Sequence, residues 1–163
     1  MQLMMWVEQL SYSTWIRESN SLWAFPMFLF AHTLGMSIVA GGAAMISMAV
    51  LGLWPNTSLR PLDRLYPYMM VGFALNAFTG LSIFMKDATV YSRNLDLYLK
   101  LLFIAAGMFL LFRIRRTVLR DPDVDNRPIP GAARMLAWAT LFCWLGAIVT
   151  GRLIAYVGPV AGL

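Results

Sequence analysis

His32 is the only histidine in the chain, and it lies in a run of 41 residues between Glu18 and Arg60 with no formally charged side chain. An ionisable group in such a run is costly to keep in lipid and is by default a functional candidate that faces the protein interior with a partner. Imidazole serves there as a ligand, a proton carrier or a hydrogen-bonded structural group, and the residue alone leaves these open. Met36 follows one helical turn later. Imidazole with a soft thioether is a Cu(I) donor pair, yet Met is also a routine filler of apolar cores and there are 12 in the chain. Asn76 and Thr79 precede Lys86 by ten and seven residues, Lys100 opens a later apolar segment, and Arg152 and Tyr156 form an i,i+4 pair near the end of the last one. The planar fork of Arg152 suits a carboxylate. Asn76 suits interhelical hydrogen bonding equally well, and Lys86 and Lys100 suit anchors that snorkel to the headgroups.

Other chemistries find no support. Asp121, Asp123 and Asp125 imitate the start of a calcium loop, but the sixth position is Asn126 rather than Gly and the twelfth is Ala132 rather than Glu. A Gly-rich phosphate loop, zinc-ligand spacing and a nucleophile–base set are all missing from the sequence, so catalysis by this chain on its own is not expected. The single cysteine, Cys143, excludes an intrachain disulfide and reads as a small packing residue. Nothing beyond a net charge of +5 suggests nucleic acid.

These residues need elements to hold them, and composition says which. The 163 residues are 60% hydrophobic and 13% charged, against about 25% charged in soluble domains, so the solvent for this single domain is lipid. Residues 65–85 are uncharged, residues 97–112 hold only Lys100, and residues 135–151 are again uncharged. A membrane helix needs roughly 20 apolar residues, so the chain predicts four spans, about 22–53, 66–86, 97–118 and 133–157. The runs are continuous rather than alternating, which excludes a β-barrel. The expected fold is all-α, an integral-membrane four-helix bundle within one domain, 1–163. Ser19-Asn20-Ser21 offers N-cap oxygens to the first span with Pro26 in its opening turns, Trp54-Pro55 closes that span, and Asp96 is placed to cap the third. Asp121 to Gly131 is a loop by its three prolines.

If the loops alternate sides, the 1–2 and 3–4 connections carry eight arginines: Arg60, Arg64, Arg113, Arg115, Arg116, Arg120, Arg127 and Arg134. The termini and the 2–3 connection carry five basic residues: Arg17, Lys86, Arg93, Lys100 and Arg152. The positive-inside rule then puts both termini outside, in the periplasm for a bacterial inner (cytoplasmic) membrane. Arg113, Arg115, Arg116 and Arg120 read as a topology signal and an anionic-lipid contact. Residues 1–19 lack a basic n-region and are interrupted by Glu8, Gln9, Ser11 and Ser13, so they are not a cleaved signal peptide. Leu3, Val7, Leu10 and Thr14 at helical spacing predict an amphipathic helix on the outer surface. Small residues at four-residue spacing predict helix-contact seams, within the bundle or between protomers: Ala31 and Gly35, then Gly72, Asn76 and Gly80, then Ala139, Cys143, Ala147 and Gly151.

All four spans thus bring polar groups to the outer half, His32 deepest, at roughly 15 Å by helix rise. The expected site is a pocket with His32 at its floor, and Asn76, Thr79, Lys100, Arg152 and Tyr156 around it.

Pro26 with Ala31-His32-Thr33-Leu34-Gly35, Thr79-Gly80, Tyr91-Ser92-Arg93-Asn94 with Lys100, and Gly151-Arg152 to Tyr156 resemble the pattern of a widespread family of short bacterial four-helix inner-membrane proteins, a domain of unknown function. The resemblance covers about residues 14–157 and implies no activity. A more distant likeness is to four-helix cytochromes b and to the membrane domains of copper-resistance proteins. The first implies haem b, which usually takes two axial histidines. One histidine allows it only through His32 with Met, His32 alone, or two chains each giving His32, with Arg152 and Lys100 at the propionates. The same pocket suits a quinone whose carbonyl bonds His32.

Three functions follow as expectations. The first is a non-catalytic membrane subunit that binds haem b or quinone at His32 and exchanges electrons with a periplasmic redox partner, within a larger oxidoreductase complex or a homo-oligomer. The second is a structural or assembly subunit whose polar groups join helices. The third is a copper or small-solute carrier using His32 and Met36.

Overall fold

The computed structural model describes residues 2–55 and 57–156. Among them the chain is all-α: α1 (Gln2–Glu8), α2 (Ser11–Glu18), α3 (Phe25–Leu51), α4 (Leu65–Lys86), α5 (Ala88–Tyr91), α6 (Leu95–Ile114) and α7 (Gly131–Leu153). A 3-10 turn, Arg60–Arg64, leads into α4, and a π turn, Arg115–Leu119, ends α6. Four of the helices, α3, α4, α6 and α7, with those turns, are long and apolar enough to cross a membrane. The chain is a multi-pass membrane bundle.

Several expected boundaries move. The first span begins at Phe25 and not at 22, because Pro26 occupies the first turn; the cap position is Ala24, with no side-chain cap. Ser19 and Ser21 instead accept backbone N–H groups two residues on, in the preceding turn. Leu51 is followed by Gly52 in the left-handed conformation (φ 82°), which ends α3 before Trp54-Pro55 is reached. The cap of α6 is Asn94, whose Oδ1 accepts from the Asp96 N–H at 2.8 Å, so Asp96 is a first-turn residue and not the cap. α7 ends at Leu153, short of the expected 157, which lies outside the described residues. The amphipathic segment expected over 1–19 is two helices broken at Gln9-Leu10.

Packing follows the small-residue seams. α3 packs on α4 and on α7, and α7 packs on α6. α4 and α6 are not packed side by side, and the Arg60–Arg64 and Arg115–Leu119 turns link them at one end. At the α3–α4 seam a Cβ on Gly35 would sit 2.8 Å from the Gly72 carbonyl oxygen and 2.9 Å from the Asn76 nitrogen. Backbone contact this close needs glycine, and it provides dispersion energy where lipid offers no hydrophobic drive. Cys143 lies against Gly107 between α6 and α7, a small packing residue as its type suggested.

The apolar core occupies one half of the bundle. Val39, Ala43, Ile46 and Val50 of α3 meet Met69, Leu111, Ile114, Leu119 and Trp144 there, from the middle of the bundle to the end of the α3–α4 and α6–α7 connections. That end is closed by side chains. Arg115 donates to Asp63 at 2.6 Å and lies over the Tyr66 ring at 3.8 Å. Asp125 accepts from Ser58 Oγ at 2.6 Å and from the Leu59 N–H at 2.7 Å. Arg127 pairs with Asp121. At the opposite end α1 and α2 fold onto α4 and α5. Glu8 accepts from both the N–H and the hydroxyl of Thr89 at 2.7 Å, Tyr12 Oη bonds Ser82 Oγ at 2.8 Å, and Ile16 is buried.

Gly35→Val is expected to lower bundle stability by about 1–3 kcal/mol through overpacking against α4, read as a fall in the thermal midpoint in detergent. Gly41→Ala, where a Cβ meets nothing within 4 Å, should not lower it. The Asp125 carboxyl is held below the usual carboxylate range by the donors Ser58 and Leu59. The tether is therefore complete above the unfolded-state pKa of about 4 and is lost as pH falls through the lower folded value. NMR titration should give Asp125 a midpoint below ~3.9, and Ser58→Ala should raise it.

Candidate functional site

The polar half of the bundle is built on α3 and α4. His32 is seven residues into α3, about 10 Å from its start by helix rise, shallower than a start at 22 implied. Thr79 is seven residues from the far end of α4 and Lys100 five into α6, so the three meet at one level. Gly80 makes the room: a Cβ there would lie 2.9 Å from His32 Cε1. Gly151 does the same for Lys100, whose Cδ and Cε pass 3.4 Å from where its Cβ would be.

The hydrogen bonds fix which ring nitrogen carries the proton. His32 Nδ1 is 3.0 Å from the Asn76 carbonyl oxygen and 3.1 Å from Thr79 Oγ1. A carbonyl only accepts, and the Thr79 hydroxyl spends its own hydrogen on the Leu75 carbonyl at 2.7 Å. Nδ1–H is therefore the donor to both. Asn76 returns the contact, its Nδ2 donating to the His32 carbonyl oxygen at 2.7 Å. Nε2 is left as an acceptor, and Lys100 Nζ approaches it to 3.3 Å. The ammonium reaches across from α6 on its aliphatic stem, beside α7, so three helices converge on one imidazole edge.

An aromatic cover adjoins the cluster. Phe28, one turn before His32, meets Tyr12 and Trp15 of α2 edge-on, with ring centroids 6.1 and 6.4 Å away, and Phe78 of α4 at 6.2 Å. Lys86 stays near the helix end, paired with Asp87 at 2.5 Å and over the Phe25 ring at 4.8 Å, a position that suits an anchor.

Of the expected site residues, His32, Asn76, Thr79 and Lys100 come together. Arg152 and Tyr156 do not: both are exposed, with the guanidinium over the Tyr156 ring at 5.5 Å. The residue of that segment that meets the cluster is Gly151, one position and roughly 100° of helix away. Among the described residues no group of three His, Cys, Asp or Glu side chains is placed to hold a metal, with Met36 or without it. An ammonium at Nε2 also opposes a copper ion there, by like charge. The two glycines that seat the site, and the aromatic cover from α2, are positions that residue type alone does not mark. Their sequence signal was adjacency, in Thr79-Gly80 and Gly151-Arg152.

No family model, curated protein or solved structure matches the chain.

Nitrogen-15 NMR of the labelled protein should show one pyrrole-type and one pyridine-type nitrogen for His32, the latter at Nε2. Gly80→Val should displace the ring and abolish this pattern, whereas Gly41→Ala should leave it unchanged.

Proposed function

We propose that the protein is a non-catalytic membrane subunit of an electron-transfer system and that it binds a quinone through one ring oxygen at the edge shared by His32 Nε2 and Lys100 Nζ. The observation that carries this reading is the fixed His32 tautomer: Nδ1–H is spent on Asn76 and Thr79, and Nε2 faces an ammonium. A base and a cationic donor 3.3 Å apart match the two states of one ring oxygen. A quinone carbonyl accepts from Lys100, and a quinol hydroxyl donates to Nε2. When bound, the quinone supplies the electron chemistry. His32 accepts a hydrogen bond at Nε2 and Lys100 orients the oxygen through a charge-assisted hydrogen bond. The unpacked side between α4 and α6 gives an apolar molecule a lateral path from lipid.

Haem b fits less well. The bond from Nδ1–H to a carbonyl is the usual support for a ligating histidine, but iron at Nε2 needs Lys100 displaced from the site, whereas a quinone oxygen needs it only to turn its donor from Nε2 to that oxygen, and the chain has no second histidine. The count of eight basic residues on one side against five on the other supports placing the site in the outer leaflet of a bacterial inner membrane, both termini periplasmic, facing a periplasmic redox partner. A structural or assembly role is the second reading, favoured by the reciprocal His32–Asn76 bonds that join α3 to α4. A copper carrier is the third, and Lys100 weighs against it.

Titration of purified protein with a short-chain quinone should give saturable binding that weakens about 10- to 100-fold in His32→Ala and in Lys100→Met. A Soret band lost in His32→Ala would give the site to haem instead. Protein that binds neither group, and whose His32→Ala variant assembles but is less stable, would leave the helix-joining role. Copper retained stoichiometrically and lost in Met36→Leu would give the carrier.

A further inference from the structure

At the end of the bundle opposite His32, a groove of about 610 Å³ opens between the Arg60–Arg64 turn and the end of α6, with Arg60, Arg64 and Arg120 on its walls beside Asp63 and Asp125. The two carboxylates are already committed. Asp63 takes the guanidinium of Arg115 at 2.6 Å, with Arg120 only at 3.7 Å, and Asp125 takes Ser58 and the Leu59 N–H. Arg60 and Arg64 are exposed and make no side-chain hydrogen bond or ion pair within 4 Å among the described residues, although the Asp125 carboxylate lies near enough to feel the Arg60 charge. Three guanidinium groups therefore line a concave site that holds two carboxylates, one of them tied to Arg115 outside the lining, so positive charge is in excess there.

The surroundings specify the kind of anion. α4 enters its apolar run at Leu65, directly beyond the groove. Leu53 and Trp54, on the same connection, are 60% and 44% exposed. Large apolar side chains exposed next to arginines suit the headgroup layer, where Trp is at home, better than bulk water. α4 and α6 are joined at this corner and are not packed together along their length, so acyl chains have a place to lie below it. We infer that this groove binds the phosphodiester headgroup of an anionic membrane phospholipid, held by Arg60, Arg64 and Arg120. Guanidinium forks match phosphate oxygens bidentately, and basic pockets between membrane helices are known to take such headgroups. Arg115, the most buried of the neighbouring arginines, is not part of the site, because Asp63 and the Tyr66 ring already hold it.

The test uses the whole protein in phosphatidylcholine nanodiscs with phosphatidylglycerol added as a minor component, and native mass spectrometry to count retained lipids. Wild type should retain phosphatidylglycerol over phosphatidylcholine. The double variant Arg60→Gln/Arg64→Gln should lose at least about tenfold in that preference, with an unchanged elution profile showing that it still folds. The charge-matched control Arg116→Gln/Arg134→Gln, exposed and outside the groove lining, should lose less than about threefold. Equal losses in the two double variants would overturn the site and leave only diffuse attraction between a basic face and anionic lipid. Displacement of the lipid by millimolar inorganic phosphate, with equal affinity for both, would overturn the lipid assignment in favour of a soluble phosphate.

Discussion

A reciprocal pair of hydrogen bonds, His32 Nδ1–H to the Asn76 carbonyl and Asn76 Nδ2 to the His32 carbonyl, holds the polar half of this bundle in place. It exists only because α3 and α4 approach closely enough for backbone oxygens to serve as partners. Gly35 and Gly72 set that distance. In lipid an unpaired polar group has no water to turn to, so the pair fixes helix rotation as well as separation. Imidazole orientation follows from helix rotation, and with it the single direction in which Nε2 can accept.

The chain divides its work along the bundle axis. Apolar side chains fill the half near the interhelical connections, where Asp63–Arg115 and Asp125–Ser58 close the end. The other half has little core and much hydrogen bonding. The apolar core is thus concentrated away from the polar cluster, and Lys100 is carried by the less embedded helix α6.

Much of this arrangement was legible in the residues. A histidine, an asparagine and a lysine inside apolar runs are expensive, and span length fixes their depth, so their convergence at one level followed from counting. Rotation about a helix axis did not follow. Arg152 lies at the right depth and faces away, while its neighbour Gly151 faces Lys100. Spacing gives depth to within a turn, but azimuth depends on which face packs, and α7 presents its small stripe of Cys143, Ala147 and Gly151 inward. Helix ends failed for a related reason: Asn94 and Asp96 are both good cap types two residues apart, and only the backbone geometry selects Asn94. The break at Gln9-Leu10 leaves no mark in the sequence because the hydrophobic spacing continues across it.

The docking of α1 and α2 carries a consequence for biogenesis. Tyr12 meets Ser82 and Glu8 meets Thr89, partners 70 and 81 residues further along the chain. While the ribosome has delivered only α3, the leading hairpin has nothing to settle on. α1 and α2 therefore have their seat completed only once α4 and α5 have followed, and the cluster beside them closes later still, when α6 brings in Lys100 and α7 the Gly151 that seats it.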